Sequence, residues 1–278
     1  MPEHVKVTIL CDNIVYKSNL LAEHGLSFLI ETGKNNILFD TGQGLSIKQN
    51  IRTLNINLKL VDKVVLSHGH YDHTGGLEKV LNDNPSINIY AHPDIFQPKY
   101  KKLITGKMEY IGIPLSLLKD KSRFKLNRQP FQLTDHILLT GEIPRETSFE
   151  KIDEDFYVKT KDNRWVKDNL LDDQALVITT QSGLILILGC THSGLINTLN
   201  YVIKITGREE FKFILGGTHL KDATEEKIQK TVTALGNFNI KKIVLSHCTG
   251  IPAFNKLQKS LGNKVSIGKV GESWQIAL

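Results

Sequence analysis

The stretch Ser67-His68-Gly69-His70-Tyr71-Asp72-His73-Thr74-Gly75-Gly76 sets three histidines and one aspartate within six positions, directly after the apolar run Val64-Val65-Leu66. Neutral imidazole and carboxylate are the usual ligands of zinc, iron and manganese. In an extended or tightly turned segment His68 and His70 point the same way and can grip one ion. Asp72 and His73 follow the turn and can reach a second. A histidine-rich surface loop is the alternative reading. It is disfavoured because further histidines recur at the ends of other apolar runs.

Three such ends lie in the second half of the chain. Gly183-Leu184-Ile185-Leu186-Ile187-Leu188-Gly189 leads to Cys190-Thr191-His192. Phe213-Ile214-Leu215 leads to Gly216-Gly217-Thr218-His219, and Ile243-Val244-Leu245 to Ser246-His247-Cys248. Each run reads as a strand ending in a histidine, and helical spacing follows it: Leu195, Ile196, Leu199 and Val202 after the first, 224–235 after the second, 251–261 after the third. One strand-terminal histidine means little. Together with the opening cluster they describe a metal site.

His-x-His-x-Asp-His followed by Thr-Gly-Gly resembles the signature of the metallo-β-lactamase superfamily. The resemblance implies an α/β (α+β) fold, a four-layer αββα sandwich with one or two metals at the edge of its two sheets. It implies two divalent ions, with zinc expected ahead of manganese or iron. His68, His70 and His192 would hold one, and Asp72, His73 and His247 the other. Asp40-Thr41-Gly42 corresponds to the superfamily's first motif, which places Asp40 behind a metal ligand as its hydrogen-bond partner. The chain departs from the pattern once. The bridging aspartate of most superfamily hydrolases falls within Gly216-Gly217-Thr218-His219, which has no carboxylate. His219 then either replaces the bridge as a ligand or faces the pocket as a proton donor, and Asp72 or His219 moves the catalytic proton. Cys190 and Cys248 sit beside these ligands and are read as small buried residues rather than as ligands.

Gly141-Glu142-Ile143-Pro144-Arg145 resembles a block that recurs in one branch, the archaeal dihydropterin–ribofuranosylaminobenzene phosphate synthases and their relatives. That implies substrate contacts for Arg145 and Glu142; a salt bridge within the loop is the alternative. The function expected is a metal-dependent hydrolase in which a metal-activated water attacks an anionic, phosphorylated small molecule. A synthase condensing a dihydropterin diphosphate with an arylamine phosphate is the alternative. A di-iron redox protein ranks below both, because the chain carries no flavodoxin-like segment or flavin motif.

The elements that must position these groups are short strands and amphipathic helices. Val5–Cys11, Leu26–Glu31, Asn36–Asp40, Val61–Leu66 and Ile87–His92 read as strands, and Ser46–Leu54 and a segment from Gly75 as helices. Residues 98–130 are rich in lysine and arginine without a clean period, and are expected to form a basic insertion or lid within a single domain spanning 1–278. His24 receives no role, and His92, followed by a proline, is expected to be structural.

Composition bounds the function. Of 278 residues 40% are hydrophobic and 23% charged, as in an ordinary globular protein. No apolar run approaches a membrane span, and the start of the chain lacks a signal-peptide pattern. Three cysteines make no disulfide framework. A cytoplasmic location is expected. The formal charge of +6 suits an anionic small-molecule partner. Without a basic tail or an aromatic stacking pattern, it argues against nucleic acid. A homo-oligomer is left open.

Overall fold

A computed structural model describes residues 4–119 and 121–277. Asp120, inside the basic segment, lies outside the described residues. Two large sheets pack face to face. In the first, the strand order is Ser273–Ala277, His4–Cys11, Ser27–Glu31, Asn36–Phe39, Lys63–Val65, Asn88–Ala91, Phe124–Leu126. In the second it is Val265–Ile267, Ile243–Leu245, Glu210–Gly216, Gly183–Ile187, Leu176–Thr180, Ile137–Leu139, Phe131–Thr134, with Asn239–Ile240 paired beside Glu210–Gly216. Each sheet joins an antiparallel part to a parallel part.

Alternation along the strands explains the layering. Val5, Val7, Ile9, Phe28, Ile30, Ile37 and Phe39 of the first sheet meet Ile178, Ile185, Ile187, Leu215 and Val244 of the second in one buried cluster. Leu10, Leu29, Leu38 and Val64 face the other way, onto the helices Ile47–Thr53 and Leu77–Asp83. Leu184, Leu186 and Ile214 likewise face Leu195–Thr206, Glu225–Leu235 and Ile251–Leu261. Strands buried on both faces must be apolar throughout, which accounts for the unbroken run Gly183–Ile187. The result is the four-layer αββα sandwich.

The segment 98–130 divides between two places. Lys99–Lys102 and Met108–Tyr110 pair with each other and, through Phe156–Lys159, with Trp165–Lys167, forming a separate four-stranded sheet. Phe124–Leu126 is instead the edge strand of the first large sheet. Several basic residues of the segment have protein partners. Lys99 is buried, with Nζ 2.8 Å from Asp168 and 2.9 Å from Asp172. Arg128 bridges Asp94 and Glu142, and Lys121 lies over Phe96. Among the described residues no helix is long and apolar enough to cross a membrane.

Candidate metal centre

The parallel strands of both sheets end at a common edge, where ligands of open α/β sheets characteristically bind. Lys63–Val65 delivers Ser67 and His68, Gly183–Ile187 delivers Cys190 and His192, Glu210–Gly216 delivers His219, and Ile243–Leu245 delivers His247. His70 then starts the single turn Tyr71–Thr74, which carries Asp72 and His73. Asp40, Thr191, His219 and His247 have φ of 59°, 60°, 49° and 50°. A left-handed backbone costs a non-glycine residue on the order of 1–3 kcal/mol, and such strain clusters at functional sites.

The donors form overlapping groups. His68, His70 and His192 converge, as do Asp72, His73, Cys190 and His247, and as do Cys190, His192 and His219; within each group the ligand atoms lie within 4.8 Å of one another. The two triads expected from sequence are thus brought together; Cys190 joins the second of them and, with His192 and His219, makes up the third group.

Asp40 organises the centre from behind. Its side chain is fully buried. Oδ1 accepts from the Ser67 backbone N–H at 2.7 Å, and Oδ2 accepts from Ser67 Oγ and His73 Nδ1, each at 2.7 Å. With its proton committed to Asp40, Ser67 Oγ accepts from His68 Nδ1 at 2.9 Å. The Nε2 atoms of His68 and His73 are therefore left to face the site. Gly189 is needed here, because a Cβ would lie 2.2 Å from Ser67 Oγ. On the opposite side His247 Nδ1 donates to Asn13 Oδ1 at 2.8 Å, and the His247 N–H to Asp12 at 3.1 Å. Burial raises the Asp12 pKa to about 7 against the pull of His247. Asp172, held by Lys99, accepts from the Gly69 N–H at 2.8 Å and so ties the ligand loop to the four-stranded sheet.

The residues fit divalent metal. His192 Nε2 is buried without a hydrogen-bond partner, which costs roughly 1–3 kcal/mol unless something occupies the space it faces, and His247 Nε2 meets Asp72 Oδ2 at 3.1 Å. His68 Nε2 and His70 Nδ1 face each other at 3.0 Å, as two lone pairs do around a cation. Burial and then neighbouring histidines push the His68 and His192 pKa values well down. Burial above all takes His70 down to about 3. All three are then the neutral imidazoles that metals require. Burial disfavours the Asp72 carboxylate, but His73 and His247 hold its pKa far below the usual range. Burial also opposes the charged form of His73, yet Asp40 and Asp72 raise its pKa to about 9; that extra proton is one a dication would displace.

The remaining residues sort by position. His219 Nε2 pairs with Asp153 at 2.6 Å, and its ring lies 4.2 Å from that of His192. Burial lowers the His219 pKa, but the bond from Asp153, with a further contribution from Cys248, raises it to about 10. Glu142 and Arg145 are not brought to the centre. Glu142 accepts from Arg128 and His92, and Arg145 Nη2 donates to Leu170 O at 3.1 Å. Their loop is pinned outward by Asn197 Oδ1, which accepts from the N–H groups of Glu146 and Thr147. Neither residue lines the pocket above the metal donors. His92 is buried, accepts from the Asp94 N–H and bonds Glu142, as a structural histidine does.

His24 was missed by sequence reasoning. Its Nε2 lies 3.3 Å from Asp72 Oδ2, and its ring is 5.0 Å from that of His247. A lone histidine in a polar loop carries no local signal; only the folded loop brings it to the site.

The pocket has a volume of about 930 Å³. His70, Asp72, His192, His219 and His247 form its floor, and Tyr71, Ile111, Phe149, Ile152 and Phe156 its apolar wall. Lys101, Lys151, Lys221, Lys227 and Lys230 stand on the rim among acidic residues such as Glu109, Glu154 and Glu226. Of these lysines, Lys101 comes from the basic segment, which also lines the pocket with Leu103, Glu109 and Ile111.

Comparison with known proteins agrees with this geometry. The chain matches the Metallo-beta-lactamase superfamily profile over residues 21–247. It is 37% identical over 266 residues, 91% of this chain and 90% of the relative, to the 7,8-dihydropterin-6-methyl-4-(beta-D-ribofuranosyl)-aminobenzene-5'-phosphate synthase of Methanocaldococcus jannaschii. It is 36% identical to the uncharacterized protein MJ0448 of the same organism, over 96% of this chain and 98% of that protein. The solved structure of Tm1679, described as a metal-dependent hydrolase of the beta-lactamase superfamily, superposes with a TM-score of 0.86 at 26% identity, covering 99% of this chain and all of that one.

Proposed function

This chain belongs to the metallo-beta-lactamase superfamily, and from that premise we propose that it is a metal-dependent hydrolase of a small anionic, phosphorylated substrate. The observation that carries the proposal is the convergence of two donor groups, with unpartnered buried imidazole nitrogens, on the floor of a single pocket. His68, His70 and His192 would hold one ion, and Asp72, His73 and His247 a second, zinc ahead of manganese or iron. Bound there, divalent metal supplies Lewis acidity and lowers the pKa of water toward neutrality.

The chain's own residues supply the rest. Asp72 is ionised and lies within 3.1 Å of His247 and 3.3 Å of His24, placed to accept a hydrogen bond that orients the attacking water. His219 carries a proton at neutral pH, held by Asp153, and can give it to a leaving group. Lys101, Lys221 and Lys227 offer positive charge to a phosphate, while Phe156 and Tyr71 cover the substrate's apolar part. Proton donation by His219 requires its charged form, so activity falls as pH rises through its pKa. Asp153→Asn removes the partner that raises that pKa, and the alkaline limb of the kcat profile is expected to move to lower pH. An unmoved limb would remove His219 from the role of acid.

A second reading is favoured by the 37% identity to the dihydropterin synthase over nine-tenths of both chains. The same centre would then activate a pyrophosphate leaving group toward an arylamine. Assays of zinc-, manganese- and iron-loaded protein separate the two. Release of product from a phosphodiester or phosphomonoester panel supports hydrolysis. Coupling of a dihydropterin diphosphate to an arylamine phosphate, without hydrolysis of the panel, supports the synthase.

A further inference from the structure

We propose that Cys190 is a metal ligand in the group of Asp72, His73 and His247, its thiolate supplying the second anion that a carboxylate within Gly216-Gly217-Thr218-His219 would have given. The proposal rests on the metal-dependent reading above. Its basis is position. Cys190 Sγ belongs both to the group with Asp72, His73 and His247 and to the group with His192 and His219. His73 Nε2 lies 3.2 Å from Sγ. Cysteine buried for packing sits among apolar side chains; this sulfur lies among the donor atoms of Asp72, His73, His192 and His247, and the buried His192 Nε2 beside it has no hydrogen-bond partner.

The backbone holds Cys190 there. Thr191, next in the chain, is β-branched yet has φ of 60°, and its Oγ1 donates to Gly217 O at 2.7 Å. Cys248 does not compete for the place. Its Sγ accepts from the His219 N–H at 3.3 Å and lies against the Cys190 carbonyl, and it belongs to none of the donor groups.

Charge supports the same assignment. Among His68, His70, Asp72, His73, His192 and His247, Asp72 is the one anionic donor. Two dications would bring four positive charges, so a second anionic donor beside Asp72 would lower their mutual repulsion. Binding exchanges the Cys190 S–H bond for a metal–sulfur bond and releases the proton to solvent, with no change of oxidation state. A soft thiolate also biases the centre toward zinc or iron over magnesium.

The test is X-ray absorption of the zinc-loaded full-length protein, with optical spectra of its cobalt form. Wild type and Cys248→Ala should both show a sulfur scatterer at about 2.3 Å and a near-ultraviolet sulfur-to-cobalt charge-transfer band. Cys190→Ser should lose both signals and bind zinc at least about 10–100-fold more weakly, no less than loss of an outer-shell partner costs. Metal bound by nitrogen and oxygen alone in wild type would overturn the assignment while leaving metal dependence intact. Loss of the sulfur signal in Cys248→Ala but not in Cys190→Ser would overturn it in favour of the other thiol. Failure of wild type to bind metal would overturn both the assignment and the reading beneath it. The wild-type and Cys248→Ala spectra decide the matter even if Cys190→Ser does not fold.

Discussion

His68→Ala and His192→Ala are each expected to strip metal and activity together. Both imidazoles are buried and lie in the donor group with His70. Their pKa values, pushed well down by burial, make them neutral lone-pair donors rather than cations. Removing one leaves two ligands where three converged and opens a space that water can enter. The loss of affinity should exceed the roughly 10–100-fold that follows deletion of a partner behind a ligand, because a direct bond is lost. The fold should survive, since the sheets are held by the apolar clusters on either side of them, not by the metal edge. Elemental analysis of the purified variants, with circular dichroism to confirm folding, checks this. Full metal occupancy in both variants would show that the donor group is not a metal site.

Much of this centre was legible in the sequence because its ligands obey local rules. His68, His192, His219 and His247 each follow an apolar strand, and the carboxyl ends of parallel strands share one edge once the sheets form. The helices after His219 and His247 could be bounded almost to the residue, at Glu225–Leu235 and Ile251–Leu261.

What escaped depends on contacts between distant segments. Lys99 opens a lysine-rich stretch and reads as solvated, yet it is buried against Asp168 and Asp172, 69 and 73 positions away. Arg145 had the right chemistry for an anion, but charge does not encode direction. Asn197 and Glu150, which accepts from the N–H groups of Ile196 and Asn197 at 2.8 Å, fasten the Arg145 loop to the helix Leu195–Thr206 instead. His24 reaches Asp72 because the loop after His4–Cys11 folds back over the edge. Cys190 was visible beside His192, but its place among Asp72, His73 and His247 depends on strands that meet only in three dimensions.

Asp40→Asn is expected to leave the protein folded and to empty the half of the centre held by Asp72, His73 and His247. The two carboxylate oxygens of Asp40 both accept from N–H groups, Oδ1 from the Ser67 backbone and Oδ2 from His73 Nδ1, and Oδ2 also accepts from Ser67 Oγ, whose proton an amide NH₂ at that place would turn toward His68 Nδ1. An amide has one oxygen and one NH₂. If its oxygen faces His73, its NH₂ meets the Ser67 N–H; if its oxygen faces Ser67, its NH₂ meets His73 Nδ1. The backbone N–H cannot move its proton, whereas the imidazole can. The amide oxygen therefore stays with Ser67, and His73 takes the other tautomer, with its proton on Nε2. That proton points at the site and blocks the lone pair a metal needs. The amide NH₂ satisfies the freed Nδ1, so the stability cost should stay well below the roughly 3–5 kcal/mol of deleting one partner of a buried ion pair. Asp40→Ala, by contrast, leaves Ser67 and His73 without any acceptor and should incur that larger cost. Metal titration with calorimetry, alongside thermal denaturation, separates the variants. Asp40→Asn should melt near wild type while binding at least about one metal equivalent fewer, and undiminished metal binding by Asp40→Asn would show that Asp40 does not set the protonation of His73.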